Sequence, residues 1–262
     1  MIFETHAHYE DKAFDEDRAE LLKELLNSGI ERVVDVGSSL KTCRDILSLI
    51  EDYPFMYAAM GIHPSDTGEL TEEDMTFLKE SCKNKKVVAI GEIGLDYYWD
   101  TPEKSIQKKW FSRQLELAKE LSLPIIIHSR DAAADTLDIM KSEHAGDIGG
   151  VIHCFSYGVE MAREYLNMGF YIGVGGVVTF KNGKKLKEVV EYTPIDRIVT
   201  ETDCPYLAPT PHRGERNSSL YIPLIVKEIA AIKNMAEEEV YRITCKNGYD
   251  LYRMSSSDMG LS

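Results

Sequence analysis

Six side chains of metal-ligand type stand where apolar, β-branched runs end: His6 and His8 after Met1-Ile2-Phe3, Glu92 after Val87-Val88-Ala89-Ile90, then His128, His153 and Asp203. Imidazoles and carboxylates in such a set can hold divalent cations, and held cations activate water for hydrolysis. His6 and His8 are two residues apart, and side chains at i and i+2 on a strand share a face, so both rings can reach one ion. A short strand with two hydrogen-bonded histidines would satisfy the same spacing. The ligand reading gains from company: Ile125-Ile126-Ile127-His128 and Val151-Ile152-His153 each end a strand-like run on histidine, whereas His63, His144 and His212 lie elsewhere.

Residues this far apart meet only if their strands end at one place, as at the carboxyl rim of a parallel barrel. Strands are predicted near Ile2–His6, Val33–Gly37, Met56–Gly61, Val87–Glu92, Pro124–His128, Gly150–Cys154, Phe170–Val174 and Arg197–Asp203. Helices fill the gaps at Asp15–Asn27, Thr42–Glu51, Thr71–Lys83, Pro102–Leu121, Ala132–His144, Glu160–Asn167, Lys184–Glu191 and Leu220–Lys233. Eight strand-helix units in about 250 residues fit a closed (β/α)₈ TIM barrel of the α/β class better than an open doubly wound sheet. No Gly-x-Gly-x-x-Gly opens the first helix, and no internal repeat is seen beyond these units. A single domain is expected over residues 1–254, followed by a polar tail, 255–262.

With 262 residues, 44% hydrophobic, the chain can bury a large core. No apolar run approaches the roughly 20 residues that cross a bilayer, and no basic segment precedes a signal-type stretch, so a cytoplasmic protein with no membrane partner is expected. The five cysteines are odd in number and show no Cys-x-x-Cys spacing, which argues for reduced thiols and against a zinc ribbon. Cys154 and Cys204 follow proposed ligands directly, and period two turns them to the other face, where packing explains them. The formal charge of −14 excludes a general duplex-coating role, because that normally needs Lys and Arg against phosphates. Much of the excess sits in acidic runs such as Glu72-Glu73-Asp74 and Glu237-Glu238-Glu239, near predicted helix starts where negative charge favours the dipole. Bound cations would reverse the potential locally, so a phosphate substrate stays open.

Seven ordered motifs span nearly the whole chain: Thr5-His6-Ala7-His8, Gly61-Ile62-His63-Pro64, Gly91-Glu92-Ile93-Gly94-Leu95-Asp96-Tyr97, His128-Ser129-Arg130-Asp131, His153-Cys154-Phe155-Ser156, Glu201-Thr202-Asp203-Cys204-Pro205-Tyr206-Leu207 and Arg213-Gly214-Glu215-Arg216-Asn217. In these the chain resembles the TatD-like metal-dependent deoxyribonucleases, a branch of the amidohydrolase-type barrels. The resemblance implies metal ligands at His6, His8, Glu92, His128, His153 and Asp203, the residues already singled out. One departure is Glu4, where such proteins usually carry Asp; sharing the inward parity of His6, it should find a partner in the barrel interior, behind the ligands.

Phosphodiester hydrolysis needs a strong nucleophile near neutral pH and a clamp for developing charge, and two divalent ions about 4 Å apart can supply both. The arrangement expected here has His6, His8 and Asp203 on one ion, His128 and His153 on the other, and Glu92 bridging them, which makes a modified lysine unnecessary. Asp203 and Glu92 are the expected catalytic groups, Asp203 also accepting or orienting the proton of the attacking water. The ions could be zinc, magnesium or manganese. Glu201, two before Asp203, either joins a buried polar network that orients a histidine or helps hold a third ion.

Around the rim, His63, Arg130, Arg213 and Arg216 are the expected substrate contacts, with Lys181 a weaker candidate and a loop-capping role the alternative for His63. Asp131 is expected as the N-cap of the helix after the fifth strand, and Lys184, Lys185 and Lys187 as a solvated face. Tyr97, Tyr98 and Trp99 could stack on unpaired bases or bury against neighbouring loops. The expected activity is a DNA exonuclease acting on single-stranded or frayed ends, as a monomer. The alternatives are a metal-dependent esterase or amidohydrolase on a small ester or amide and, ranked below it, a non-catalytic metal-loaded binding scaffold.

Overall fold

Each β-branched run becomes a strand because it is covered on both faces, by side chains within a barrel and by helices around it. The computed structural model describes residues 1–254, so the expected tail, 255–262, lies outside the described residues. Strands β1 (Ile2–Ala7), β2 (Ile30–Val36), β3 (Met56–Met60), β4 (Val87–Asp96), β5 (Ile125–Arg130), β6 (Gly150–Ile152), β7 (Tyr171–Val174) and β8 (Ile198–Thr200) pair in parallel in chain order. The first and last meet just past their ends. Ala7 bridges Cys204 in parallel, the Asp203 N–H donates to the His6 carbonyl at 3.0 Å, and the His8 N–H donates to the Cys204 carbonyl at 2.9 Å. The fold is the (β/α)₈ barrel that the alternation predicts.

The connecting helices are α1 (Arg18–Asn27), α2 (Leu40–Asp52), α3 (Glu72–Ser81), α4 (Lys104–Leu121), α5 (Ala133–Ser142), α6 (Val159–Asn167), α7 (Lys184–Tyr192) and α8 (Ile222–Lys233). Local chemistry sets their starts. Ser39 and Thr42 cap α2 reciprocally, as Thr71 and Asp74 cap α3, and the acidic first turn of α3 sits on its positive dipole end. Asp131 is not the N-cap of α5: it takes a left-handed φ of 52°, and Ala132 holds the cap position without a side-chain bond. Because β5 runs on through Arg130, little chain remains to turn into the helix, and a left-handed residue makes that turn.

A ninth helix, α9 (Glu237–Leu251), is absent from the helices expected above, since no ninth strand announces it. Its Tyr249, with the following Tyr252, packs on Phe3 of β1 at ring-centroid distances of 5.1 and 5.8 Å, and its Asn247 amide donates to the carbonyls of Ile195 and Ile198. The helix thus ties both edges of the closure. Phe3, Val34, Val36, Ala59, Ile126, Val151 and Val199 form one cluster with it, while Ile90, Ile125, Ile127 and Ile172 belong to the larger cluster shared with the surrounding helices. Neighbours on a strand divide between the two because period two sends them to opposite faces. No helix among the described residues is long and apolar enough to cross a membrane.

All five cysteines are unpaired, and burial pushes the thiols of Cys43 and Cys82 up to about 12 and that of Cys245 up to about 11. Burial also raises Cys154 and Cys204. Thiolate, not thiol, is the nucleophile, so a chromogenic disulfide reagent should modify the native protein slowly and all five sites after denaturation. Rapid stoichiometric labelling of the native chain would contradict this burial.

Candidate functional site

Strand β1 and the loop after it, the loop after β8, β4, β5 and the segment after β6 bring the six expected ligands to one place. His6 and His8 face each other, Nε2 to Nε2, at 3.1 Å, and Asp203 Oδ1 stands 3.7 and 3.3 Å from those nitrogens. His153 stacks on His6 with ring centroids 3.6 Å apart and its Nε2 is 3.8 Å from Asp203 Oδ1, and Glu92 joins this group to His128. Its Oε2 is 3.6 Å from His6 Nε2, and its Oε1 is 2.6 Å from His128 Nδ1 and 3.6 Å from His153 Nε2. The His128 and His153 rings are 6.4 Å apart and meet through Glu92 rather than directly. Gly94 lets β4 and β5 approach this closely: with φ of 145°, a Cβ there would fall 1.9 Å from the His128 carbonyl oxygen.

The remote ring nitrogens set which atoms face inward. His8 Nδ1 donates to the Val36 carbonyl at 2.8 Å, which turns Nε2 toward Asp203 and His6. His128 Nε2 lies 3.0 Å from Asp96 Oδ2 and His153 Nδ1 lies 3.2 Å from Glu201 Oε1, so each presents its other nitrogen to Glu92. Asp96 was not among the expected site residues. The available signal was its position four residues after Glu92, since even spacing on a strand returns a side chain to the same face. Converging imidazole nitrogens with the carboxylates of Glu92 and Asp203 among them suit divalent cations. His6, His8 and Asp203 form one compact ligand group as expected, but His63 rather than His153 joins Glu92 and His128 in another, while His153 groups with His6 and Glu201 and with Cys154 and Asp203.

Protonation follows from the same crowding. Burial opposes ionisation of Glu92, yet the charges of His153 and His128 hold its carboxyl well below the ordinary range. Burial likewise opposes the His8 imidazolium, and the carboxylates of Asp203 and Glu10 outweigh it. His63 goes the other way, lowered to about 4 by burial and by the neighbouring His128. Its Nδ1 accepts from the Ser65 N–H at 3.2 Å, which puts the proton of the neutral ring on Nε2, 4.0 Å from Glu92 Oε1. His63 is therefore both a loop cap and an N–H donor aimed at the site.

Glu201 is buried, accepts from the Cys154 N–H at 2.5 Å and keeps Oε2 without a partner. Gly173 makes its cradle, where a Cβ would fall 2.5 Å from the carboxylate. Glu4 does not enter the cavity. It accepts from the His6 and Thr202 N–H groups and from the hydroxyls of Thr202 and Ser219. A register shift in β1 between Glu4 and Ala7 breaks the alternation on which its expected inward parity rested.

Arg130 lines the cavity, its guanidinium 3.8 Å from the centre of the Tyr98 ring. The other two arginines do not reach it. Arg213 lies over Phe180, and Arg216 is bound to Asp17 and the Ala13 carbonyl, because a guanidinium near a carboxylate or an aromatic face is satisfied there first. Lys181 is exposed and lines neither site cavity. Tyr97 is held by Asp135 at 2.6 Å, whereas Tyr98 and Trp99 are exposed. The cavity of about 550 Å³ around the ligands adjoins a second of about 420 Å³ that runs past Cys154, Ser156 and Leu207.

A family model described as TatD related DNase matches residues 3–253. The chain is 48% identical to the uncharacterized metal-dependent hydrolase YabD of Bacillus subtilis, over 97% of this chain and all of that one. It is 33% identical to the uncharacterized metal-dependent hydrolase YcfH of Escherichia coli, over 98% and 97% of the two chains. Its fold superimposes on the crystal structure of YjjV, a TatD homologue from Escherichia coli, with a TM-score of 0.91 at 27% identity, covering 97% and 98%. The chain belongs to the TatD-related family of metal-dependent hydrolases.

Carboxylates that orient ligand histidines typically contribute about 10- to 100-fold in metal affinity. Asp96→Asn and Glu201→Gln should each weaken zinc binding on that scale in calorimetric titration; unchanged affinity for both would remove their orienting role. Glu4 supplies a separate test. Burial outweighs its hydrogen bonds and raises its carboxyl from 4.5 to about 7, so the folded chain holds this proton more tightly than the unfolded one. That stabilisation is complete below pH 4.5 and lost as pH rises through about 7. The melting-temperature advantage of wild type over Glu4→Gln should shrink across this window and level off above it; a pH-independent difference would refute the assignment.

Proposed function

We propose that the chain is a metal-dependent deoxyribonuclease that removes nucleotides from single-stranded or frayed DNA ends. One observation carries the reading: the buried Glu92 carboxylate reaches His6, His128 and His153, with His8 and Asp203 against the same cluster, at an open groove. His6, His8, Asp203, Glu92, His128 and His153 would hold two divalent ions. Bound there, such ions supply Lewis acidity toward phosphate oxygens and acidify water toward neutral pH.

The chain's own groups do the rest. Asp203 is the proton acceptor, because its side chain is 18% exposed whereas those of Glu92 and Glu201 are 5% and 1% exposed, so water reaches it more readily. Its pKa is lowered, burial being outweighed by His153 and the hydrogen bond to His8, and it is ionised when water arrives. Oxygen of the water bonds to phosphorus, the bond to the leaving oxygen breaks, and the proton held at Asp203 passes to that oxygen. Arg130 offers a bidentate contact to phosphate at the groove wall, and His63 offers its Nε2–H. Exposed Tyr98 and Trp99 suit unpaired bases, which present open faces for stacking.

Purified protein should release nucleotides from single-stranded DNA, stop with chelator and resume when zinc or manganese is restored. Asp203→Asn should lower kcat about a hundredfold to ten-thousandfold, the usual span for a positioned base. Cleavage of a small carboxylic ester panel with no nucleotide release under any ion would replace the nuclease reading.

A further inference from the structure

The two cavities are lobes of one groove, separated by a shared wall of His128, Arg130, His153, Asp203 and Tyr206. Their private linings differ in charge. Besides Glu92 and Asp96, which face the histidines, the larger lobe adds three outer carboxylates, Glu10, Asp11 and Asp66, with the hydroxyls of Ser38 and Thr42, and Trp99 stands at it 57% exposed. The smaller lobe adds Ser129, Cys154, Ser156, Val177 and Leu207, with no further carboxylate. Arg130 is the one Lys or Arg side chain lining either lobe among the described residues.

A DNA strand being shortened from its end is asymmetric in the same way. Beyond the broken bond lies a continuing polyanion on one side and, on the other, a terminal nucleoside whose free hydroxyl carries no phosphate. Cations at the ligand group offset the charge of Glu92 and Asp203 but leave the outer carboxylates. Asp11 is held in place, accepting from the Ala13 N–H at 2.7 Å and the Tyr206 hydroxyl at 3.2 Å. Asp66 is exposed, available to a sugar hydroxyl.

We propose that the groove is directional: the lobe lined by the outer carboxylates takes the terminal nucleoside, its base on Trp99 and its hydroxyl on Asp66, while the lobe whose one carboxylate is the shared Asp203 takes the continuing strand. Arg130, between them, meets the phosphate that is cut. A phosphate on the terminal hydroxyl would face the three outer carboxylates, whereas a strand passing Cys154 and Leu207 meets none beyond Asp203 at the shared wall. The assignment rests on the deoxyribonuclease reading and adds the requirement for an unphosphorylated end.

Three internally labelled oligonucleotides of one sequence test it, with no terminal phosphate, a 5′-phosphate or a 3′-phosphate, digested by the manganese-loaded protein. Phosphate on the end that is lost should lower kcat/KM about tenfold, the scale of one like-charge contact in a partly screened site, and phosphate on the other end should change nothing. Asp66→Asn should narrow that ratio, and Trp99→Ala should raise KM for the unphosphorylated strand more than it lowers kcat. Equal or faster loss of a phosphorylated end, or cutting mainly in the interior, overturns the lobe assignment and leaves a nuclease. No cleavage of any of the three removes the nuclease reading and the assignment with it.

Discussion

The closure of β1 against the segment after β8 is the contact on which everything else depends. Backbone groups of His6 and His8 pair with Asp203 and Cys204, so the hydrogen bonds that shut the barrel are made by the residues that build the candidate metal centre or their neighbours. The Glu4 carboxylate reinforces the seam by gathering donors from Thr202 and Ser219, and Tyr252 donates to the Thr5 carbonyl from below. A barrel left open here would lose its ligand group, because His6, His8 and Asp203 meet only across that seam. Fold and site are one cooperative object at this point.

A second constraint is electrostatic. Imidazoles and carboxylates are buried together at the rim, where an unpaired charge is costly and each group answers its neighbours. The chain meets that cost by pairing: Asp96 with His128, Glu201 with His153, Asp203 with His8. Those pairs hold the rings in orientations that turn nitrogens inward, which is the condition for receiving cations without rearrangement. The acidic net charge of the chain is thus compatible with a polyanionic substrate. On the proposed reading, attraction would be concentrated at bound cations and Arg130, and the outer acidic residues would shape where phosphate lies.

Much of this was legible in the chain before its fold. The eight strand-helix units are visible because buried strands and amphipathic helices leave different periods, and the six candidate ligands stand out because polar groups end apolar runs there. Where the reading failed, a local rule was overridden by a longer-range one. Glu4 lost its inward parity to a register shift in β1, Asp131 lost its capping role to the length of β5, and α9 was missed because nothing upstream of it calls for another unit. Arg213 and Arg216 were selected by type alone, and type does not say which carboxylate or ring lies nearest.

The sequence by itself determined the barrel class, the candidate ligands and the strands that end near them, since those follow from periodicity and side-chain chemistry within short windows. Only the tertiary structure decided that Asp96 orients His128, that His63 points its Nε2–H at Glu92, that Arg130 is the arginine at the groove, and that the groove has one carboxylate-rich lobe and one without further acids. Those facts depend on distances between segments far apart in the chain. Such distances are set by the packing and closure of the whole barrel, and no short window of sequence contains them.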